Sequence, residues 1–541
     1  MFRKTSAQLT LTDFTNSVSN ALPKNDWCFI YRDKIYPIID KEKFRHLYSE
    51  NVGKPNASIK TMISLLIFMG LERYNWRETE FNFLRRIDWM IATYTDPSEA
   101  YIDYTTLFKF YQQLEQDETI RQLFVDLTQT FIEFCGTSVK KQRTDSFFIH
   151  GWLKILTRYG LFKETIRKFL MNLRKQKPGL YETIQKELSK NYLEKEFDLT
   201  EKDRNLANKK ISQMAKDLYK LVLAFKNHHQ VKYYESFKIL KKVFTQQCEL
   251  QDGQFQNEKE VVLKEKPDKD AINTPHNPEA TYKKKRNQEN RGSLGFITET
   301  CDPENDVQFL TDYEVLKSTT HDSTEQPNIQ DRLIENNLKP DVQYKDAGFV
   351  NGKTIIESRK KGIKLEGPTA GRSQSFDTYN SQDRPLDAGD FETDYDEQKG
   401  ELIVKKCPAG HTPINQEKSK QTGKINVHFN AKTCQNCDKK ELCPVCIGKK
   451  IATYKVSKQE YVGAQRHHKY MKNSEYRKKC SIRAGAEATV SEITRAHGMR
   501  KSRHRKRSRT KLQMGFASIA CNVKKFMRYC QKSDSLCLKQ A

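Results

Sequence analysis

Three acids in this chain, Asp145, Asp346 and Glu487, stand in surroundings suited to chemistry on a phosphate, and gaps of 201 and 141 residues separate them. Asp145 lies in Arg143-Thr-Asp-Ser-Phe-Phe-Ile-His150, where β-formers surround one acid, as on an inner strand displaying a carboxylate. Asp346 closes the expected strand Asp341-Val-Gln-Tyr-Lys and is followed by Gly348. That placement suits an active-site acid in an α/β fold and equally a turn acid. Glu487 sits in Ile482-Arg-Ala-Gly-Ala-Glu-Ala-Thr-Val, on a helix expected from Glu475 to a capping Gly498. Carboxylate oxygens of this kind hold hard Mg²⁺ or Mn²⁺. Two such ions about 4 Å apart activate an attacking oxygen and stabilise a leaving one in phosphoryl displacement.

Charge points to the same class of substrate. The net charge is +26, and from Ile447 onward there are 25 Lys and Arg against 5 Asp and Glu, so most of the excess is C-terminal. Between Arg500 and Lys511 eight cations (Arg500, Lys501, Arg503, Arg505, Lys506, Arg507, Arg509 and Lys511) occur with no carboxylate, enough to track several phosphates. Arg495 and Arg483 precede them, and Arg483 stands one turn before Glu487, where it either clamps a phosphate or pairs with the acid. A second run, Lys283-Lys-Lys-Arg286, either follows a DNA backbone or is a solvated linker. Tyr461, His467, His468 and Tyr470 also lie among basic residues, and ordinary packing accounts for them better than base stacking. Apolar runs stay short of a membrane span, and Met1–Asn20 is polar and unlike a signal peptide, so a cytoplasmic protein with no membrane partner is expected.

Thirteen cysteines without a secretory signal argue against a disulfide framework. Cys434-x2-Cys437-x5-Cys443-x2-Cys446 has the double C-x2-C spacing with which four thiolates share one tetrahedral Zn²⁺, with Cys407 and His411 upstream as spare ligands. Reduced, metal-free thiols in a compact subdomain are the alternative.

The elements that must carry these groups follow from periodicity. From Asn56 to Gly136 apolar residues recur at helical spacing, among them Ile63, Leu66, Phe81, Leu84, Ile87, Leu107 and Phe124, with Asp103 as an N-cap. This predicts an all-α domain over 1–140, a helix-turn-helix or a plain bundle. A helical insertion follows over 150–248, with a stripe of Leu206, Met214, Leu218, Leu221 and Phe225. The polar 249–278 stretch reads as a flexible linker. Gly295–Cys301 and Val307–Val315 read as a hairpin around Asp302-Pro-Glu-Asn-Asp306, and a helix is expected over Asn328–Asn337. The catalytic core would therefore come in two parts, 141–366 and 475–541, divided by a Cys-rich insertion over 367–474.

Five segments, Arg143-Thr-Asp-Ser146, Asn277-Pro-Glu-Ala-Thr-Tyr-Lys-Lys-Lys285, Lys345-Asp-Ala-Gly-Phe-Val-Asn-Gly352, Cys407-Pro-Ala-Gly-His-Thr-Pro413 and Arg483-Ala-Gly-Ala-Glu487, occur in an order that resembles bacterial insertion-sequence transposases of the DDE type. Closest is the cysteine-containing group numbered eleven eighty-two, over residues 27–530. The resemblance implies an α/β, ribonuclease-H-like mixed-sheet core with Asp145, Asp346 and Glu487 as catalytic triad on two Mg²⁺. It implies double-stranded DNA, both terminal inverted repeats and target, as partner, a homo-oligomer on DNA, and a place on the bacterial nucleoid. Two positions depart from the pattern: Cys480 stands where relatives often have Tyr, and Thr494 where they often have Lys, so details of end processing do not carry over. Two other readings compete: a domesticated, inactive DNA-binding derivative, and a zinc-stabilised protein whose basic tail binds RNA.

Overall fold

The computed structural model describes residues 22–49, 56–151, 156–188, 192–193, 203–252, 259–285, 288–373, 375–396 and 400–540. Its main sheet has six strands, β1 (Lys141–His150), β4 (Thr281–Lys285), β5 (Gln288–Thr300), β6 (Leu310–Lys317), β7 (Val342–Tyr344) and β8 (Lys364–Glu366). Their order is β4-β5-β1-β7-β8, with β6 also paired to β5. The ladders β5/β1 and β5/β6 are antiparallel, while β1/β7 and β7/β8 are parallel. In the antiparallel half β4, β5 and β6 follow one another in the chain, while β1 pairs with β5 across the whole intervening insertion. The parallel half needs helical crossovers, supplied by Asp322–Glu335 and Gly352–Lys360. The expected β5/β6 hairpin is present.

One apolar core lies on the face of β1 that carries Phe147 and Ile149, and it joins the sheet to the N-terminal helices and the C-terminal one. The helices Ile59–Glu72, Tyr104–Gln113 and Thr119–Cys135 pack here against the long helix Arg507–Gln540, where Phe526 stacks on Phe131 at 4.1 Å. Asn522 of the long helix bonds both the N–H and the carbonyl of Leu310, holding that helix to β6. Residues 1–140 were expected as a domain of their own, yet their described part shares its core with the C-terminus. Asp103 does cap the helix that begins at Tyr104. Phe81, Leu84 and Ile87, expected inside, are exposed at 56, 45 and 36%. Their helices are short, and only one face of each reaches the core.

The other sheet face is covered by Leu333, Phe349, Ile355 and Val462. The insertion has a core of its own, in which Met214, Leu218, Leu221 and Phe225 are buried and Leu206 is exposed. Part of the expected linker is instead an antiparallel pair, β2 (Cys248–Asp252) with β3 (Lys259–Leu263), because Val261 and Leu263 pack on that core. The helix expected from Asn328 begins at Asp322 and runs through Pro327. Proline in the second turn forfeits one backbone bond, and burial of Ile329 and Leu333 outweighs that loss.

Between the sheet and the last helices lie β9 (Glu392–Asp396) with β10 (Glu401–Lys406), and the four-stranded β11 (Asn415–Lys418), β12 (Ile425–Asn430), β14 (Ile451–Val456) and β13 (Cys446–Ile447), in the order β11-β12-β14-β13. Val404, Val427, Phe429 and Tyr454 form its core.

Candidate active site

The parallel register pairs Lys141 with Val342, Gln142 with Gln343 and Arg143 with Tyr344. Asp145 and Asp346 lie two residues beyond the last pair, Asp145 still within β1 and Asp346 in the segment that follows the end of β7. Each carboxylate takes a local backbone N–H. Asp145 accepts from Ser146 at 2.7 Å and Asp346 from Gly348 at 2.9 Å. Both are half-buried at the open end of the ladder.

Glu487 is in the first turn of the helix Ala486–Arg495, which buries Ala486, Thr489 and Ile493 and leaves Glu487 exposed. The expected single helix from Glu475 is broken: Ser474–Cys480 ends, Ser481–Gly485 is a 3₁₀ turn, and the Glu487 helix starts anew. Arg483 therefore sits in that turn and not on the helix of Glu487.

A buried ion pair ties this helix to β1. Arg143, two residues before Asp145, donates Nε–H to Glu299 Oε1 at 2.7 Å and Nη1–H to the Ile482 carbonyl at 3.0 Å. Thr489 Oγ1 donates to the other oxygen of Glu299 at 2.7 Å, and Lys525 Nζ lies 3.7 Å from it. Glu299 is opposite Arg143 in the β1/β5 ladder, with its side chain 2% exposed. Gly485, two residues before Glu487, lies against the guanidinium, where a Cβ would collide with Nη1. Burial works against the charge on Lys525, but Cys521, Glu299 and Glu492 hold its pKa above the usual lysine value.

A second buried carboxylate fixes the preceding helices. Glu366, at the end of β8 and 1% exposed, pairs with Arg466 at 3.0 Å and accepts from Tyr476 Oη. Cys480 is buried one turn after Tyr476.

The sequence reading missed Asp322. It begins the helix that covers β7 and is buried, and a Cβ on Gly348 would stand 2.6 Å from its Oδ2 and 3.2 Å from Asp346 Oδ1. Only glycine lets the two carboxylates approach across that turn. The oxygen-only donor set fits hard divalent ions such as Mg²⁺. Among the described residues, the groups with three donor atoms all within 4.8 Å of one another are Glu492/His497/Cys521 and Asp387/Asp390/His468. Asp145, Asp346 and Glu487 stand wider than that. The two compact groups are salt-bridged: Lys524 pairs with Glu492, Arg372 with Asp387 and Arg384 with Asp390.

Much of the basic run is engaged within the protein. Arg503 donates to the carbonyls of Tyr74 and Arg73, Arg507 holds Glu279, and Lys511 lies 3.3 Å from Glu314. Arg509 and Lys506 grip Glu115. Burial alone would raise the pKa of this carboxyl, but Arg509, Ser508 and Lys506 hold it below the usual range. Backbone is used too: His150 N–H donates to Arg500 O and Ser502 N–H to His150 O, continuing the sheet past β7 along β1. Expected DNA contacts at Arg503, Arg507, Arg509 and Lys511 therefore meet structural partners. Arg495, Arg500, Lys501 and Arg505 are exposed. Of the patch Lys283–Arg286, Lys283 donates to the Thr320 carbonyl, and Arg286 lies outside the described residues. His467 and His468 are buried, so stacking on bases is closed to them.

Two family models match, one at each end: a transposase DDE domain over residues 406–527 and the transposase domain DUF772 over residues 16–113. The first includes Glu487 and the cysteines from Cys407 to Cys446, while Asp145 and Asp346 lie outside both. No curated protein and no solved structure matches the chain. Among the described residues, no helix is long and apolar enough to cross a membrane. Both matches are to transposase domains, and together they indicate a DDE-type insertion-sequence transposase family.

Proposed function

We propose that this transposase cuts the ends of its element and joins a 3′-hydroxyl to target DNA, with Asp145, Asp346 and Glu487 as the ligands of two Mg²⁺ ions in a ribonuclease-H-like core. The observation that carries this reading is the β1/β7 register, which, continued two residues past its last pair, supports a common face for Asp145 and Asp346, together with the Arg143–Glu299–Thr489 link that fastens the Glu487 helix to the same strand. Support for the core type comes from the strand order β6-β5-β1-β7-β8, three antiparallel strands followed by two parallel ones.

When bound, the metal pair supplies charge stabilisation for the attacking and leaving oxygens. The chain's own part is positioning. Ser146 and Gly348 N–H groups orient the two aspartates, and Arg143 sets the height of the Glu487 helix over the strand. Arg495, Arg500, Lys501 and Arg505 follow Glu487 in sequence, are exposed, and are the cations that would hold DNA phosphates. The chain acts as a homo-oligomer on its terminal repeats.

The test is Mg²⁺-dependent nicking of DNA that carries the element's inverted repeats. Asp145→Asn, Asp346→Asn and Glu487→Gln should each reduce nicking to background while DNA binding persists. Cleavage at the wild-type rate by any one of them would remove that residue from the triad.

A further inference from the structure

The cysteine-bearing tip of the four-stranded sheet lacks the means by which the rest of the molecule holds its shape. No residue from Lys432 to Ile447 is buried. The core of this lobe, Val427, Phe429, Ala452 and Tyr454, is met from the tip by the half-buried Cys434, Cys443 and Val445. What the tip has instead is a small cavity walled by Cys407, Cys434, Cys437 and Cys443, with His411 and Phe429 at its side. Cys446, the last member of the sequence spacing, does not line it. Cys446 is exposed in β13, paired with Thr453 of β14.

We infer that Cys407, Cys434, Cys437 and Cys443 together bind one structural zinc ion, and that Cys446 lies outside the site.

Cys407 comes from a different segment, 27 residues upstream of Cys434, and its turn is shaped for a thiolate. Gly410, at φ +86°, reverses the chain so that Gly410 N–H donates to Cys407 O at 2.8 Å and Cys407 N–H to His411 O at 2.8 Å. His411 N–H then donates to Cys407 Sγ at 3.3 Å. A backbone N–H aimed at sulfur is the kind of outer contact that orients a metal-bound side chain. Cys434 and Cys437 share a turn at the end of the helix Ala431–Gln435, with Cys437 N–H donating to Cys434 O at 3.4 Å.

Zinc requires sulfurs about 2.3 Å from the ion, hence about 3.8 Å apart. No three of these sulfurs yet lie within 4.8 Å of one another, so loading draws the cavity walls together and orders the tip. Such a site contributes folding free energy to a segment that has little apolar burial. The ion takes no part in phosphoryl transfer, and the inference stands independently of the triad.

The experiment is metal analysis of the purified full-length chain, with Co²⁺ substitution to read the ligand set from its thiolate-to-cobalt absorption. The wild-type chain should carry about one zinc, as one four-thiolate site demands. Cys407→Ser and Cys443→Ser should lose it. Cys446→Ser should keep both the stoichiometry and the four-thiolate cobalt spectrum. Cys407→His guards against mere misfolding, since it should retain the ion with a three-thiolate spectrum. Zinc retained by Cys407→Ser, zinc lost by Cys446→Ser, or a wild-type chain without zinc would each overturn the assignment.

Discussion

The acid-bearing sheet and the cysteine-bearing tip are both parts that must hold polar groups still, and they do so in opposite ways. In the sheet the work is done from below by two carboxylates taken almost entirely out of water. Glu299 fastens Arg143, Thr489 and Lys525, and Glu366 fastens Arg466 and Tyr476. The tip has no buried residue over 432–447 and gathers thiols instead. A buried ion pair gives a fixed geometry only while all its partners are present, because a charge left without its partner in the interior is costly. A thiol cluster is indifferent until a metal arrives. Damage to the first should therefore spread through the sheet, and damage to the second should stay local.

The largest effect is expected where the sheet's device is broken. Glu299→Met leaves Arg143 and Lys525 without their buried counter-charge, at a cost on the order of 3–5 kcal/mol. Urea unfolding should show an earlier midpoint for the whole sheet, and nicking should fail. In Cys407→Ser, by contrast, hydrogen exchange should quicken in the tip alone. An Glu299→Met protein that unfolds and cuts like wild type would erase the distinction between the two regions.

Next comes acidification of the seam between the N-terminal helices and the C-terminal segment. Burial holds the pKa of His497 down to about 4, despite its bond to the Gly70 carbonyl, and His504, stacked on Tyr111, is also held near 4. Unfolded histidine titrates near 6.5, so between about 6.5 and 4 the unfolded chain binds more protons and stability falls as pH falls. For His497 the loss approaches about 3 kcal/mol at the lower end. Thermal midpoints should drop across this window, and His497→Asn should flatten the drop. A pH-independent midpoint from 6.5 to 5 would show that the seam does not rest on neutral imidazole.

A smaller probe of the same bracket is Gly485→Ala. Its Cβ meets the Arg143 guanidinium, so the Glu487 turn must lift or the arginine must leave the Ile482 carbonyl, an overpacking cost of about 1–3 kcal/mol. Nicking should fall more than the melting temperature does, because the displaced element is the one that carries Glu487. Equal activity in Gly485→Ala would mean that helix height over β1 is not limiting.

Local signals in the sequence were legible where one segment decides its own structure. The β5/β6 hairpin, the Asp103 cap and the left-handed Gly498 all depend on neighbours a few residues away. Glu299 was not legible. In Ile-Thr-Glu-Thr it looks like the solvent side of an alternating strand, and its partners are 156 and 190 residues distant. Asp322 escaped notice because the helix was expected only from Asn328, whereas it begins at Asp322 itself. The cysteine spacing pointed to Cys446 over Cys407 because regular spacing measures distance along the chain, and the turn at Gly410 brings in the remote thiol. The basic run likewise showed its charge but not its partners.

That last point yields the smallest and most discriminating expectation. Arg500 and Arg505 are exposed, whereas Arg503 is anchored on the carbonyls of Arg73 and Tyr74. If exposed cations hold DNA phosphates, Arg500→Gln and Arg505→Gln should weaken binding to all sequences alike. Each should flatten the salt dependence by roughly one unit of slope, with the melting temperature unchanged. Arg503→Gln should do the reverse, lowering the melting temperature because the half-buried Tyr74 carbonyl and the Arg73 carbonyl lose their donor, and leaving the salt slope nearly as it was. Arg503 joins the end of the helix Ile59–Glu72 to the segment that leads into the long C-terminal helix, where its N–H also donates to Gln513, so its loss belongs with the sheet's buried ties and not with the DNA surface. Should Arg503→Gln instead flatten the slope at constant stability, its side chain must leave Tyr74 when DNA arrives, and the division between tying and binding cations would fall.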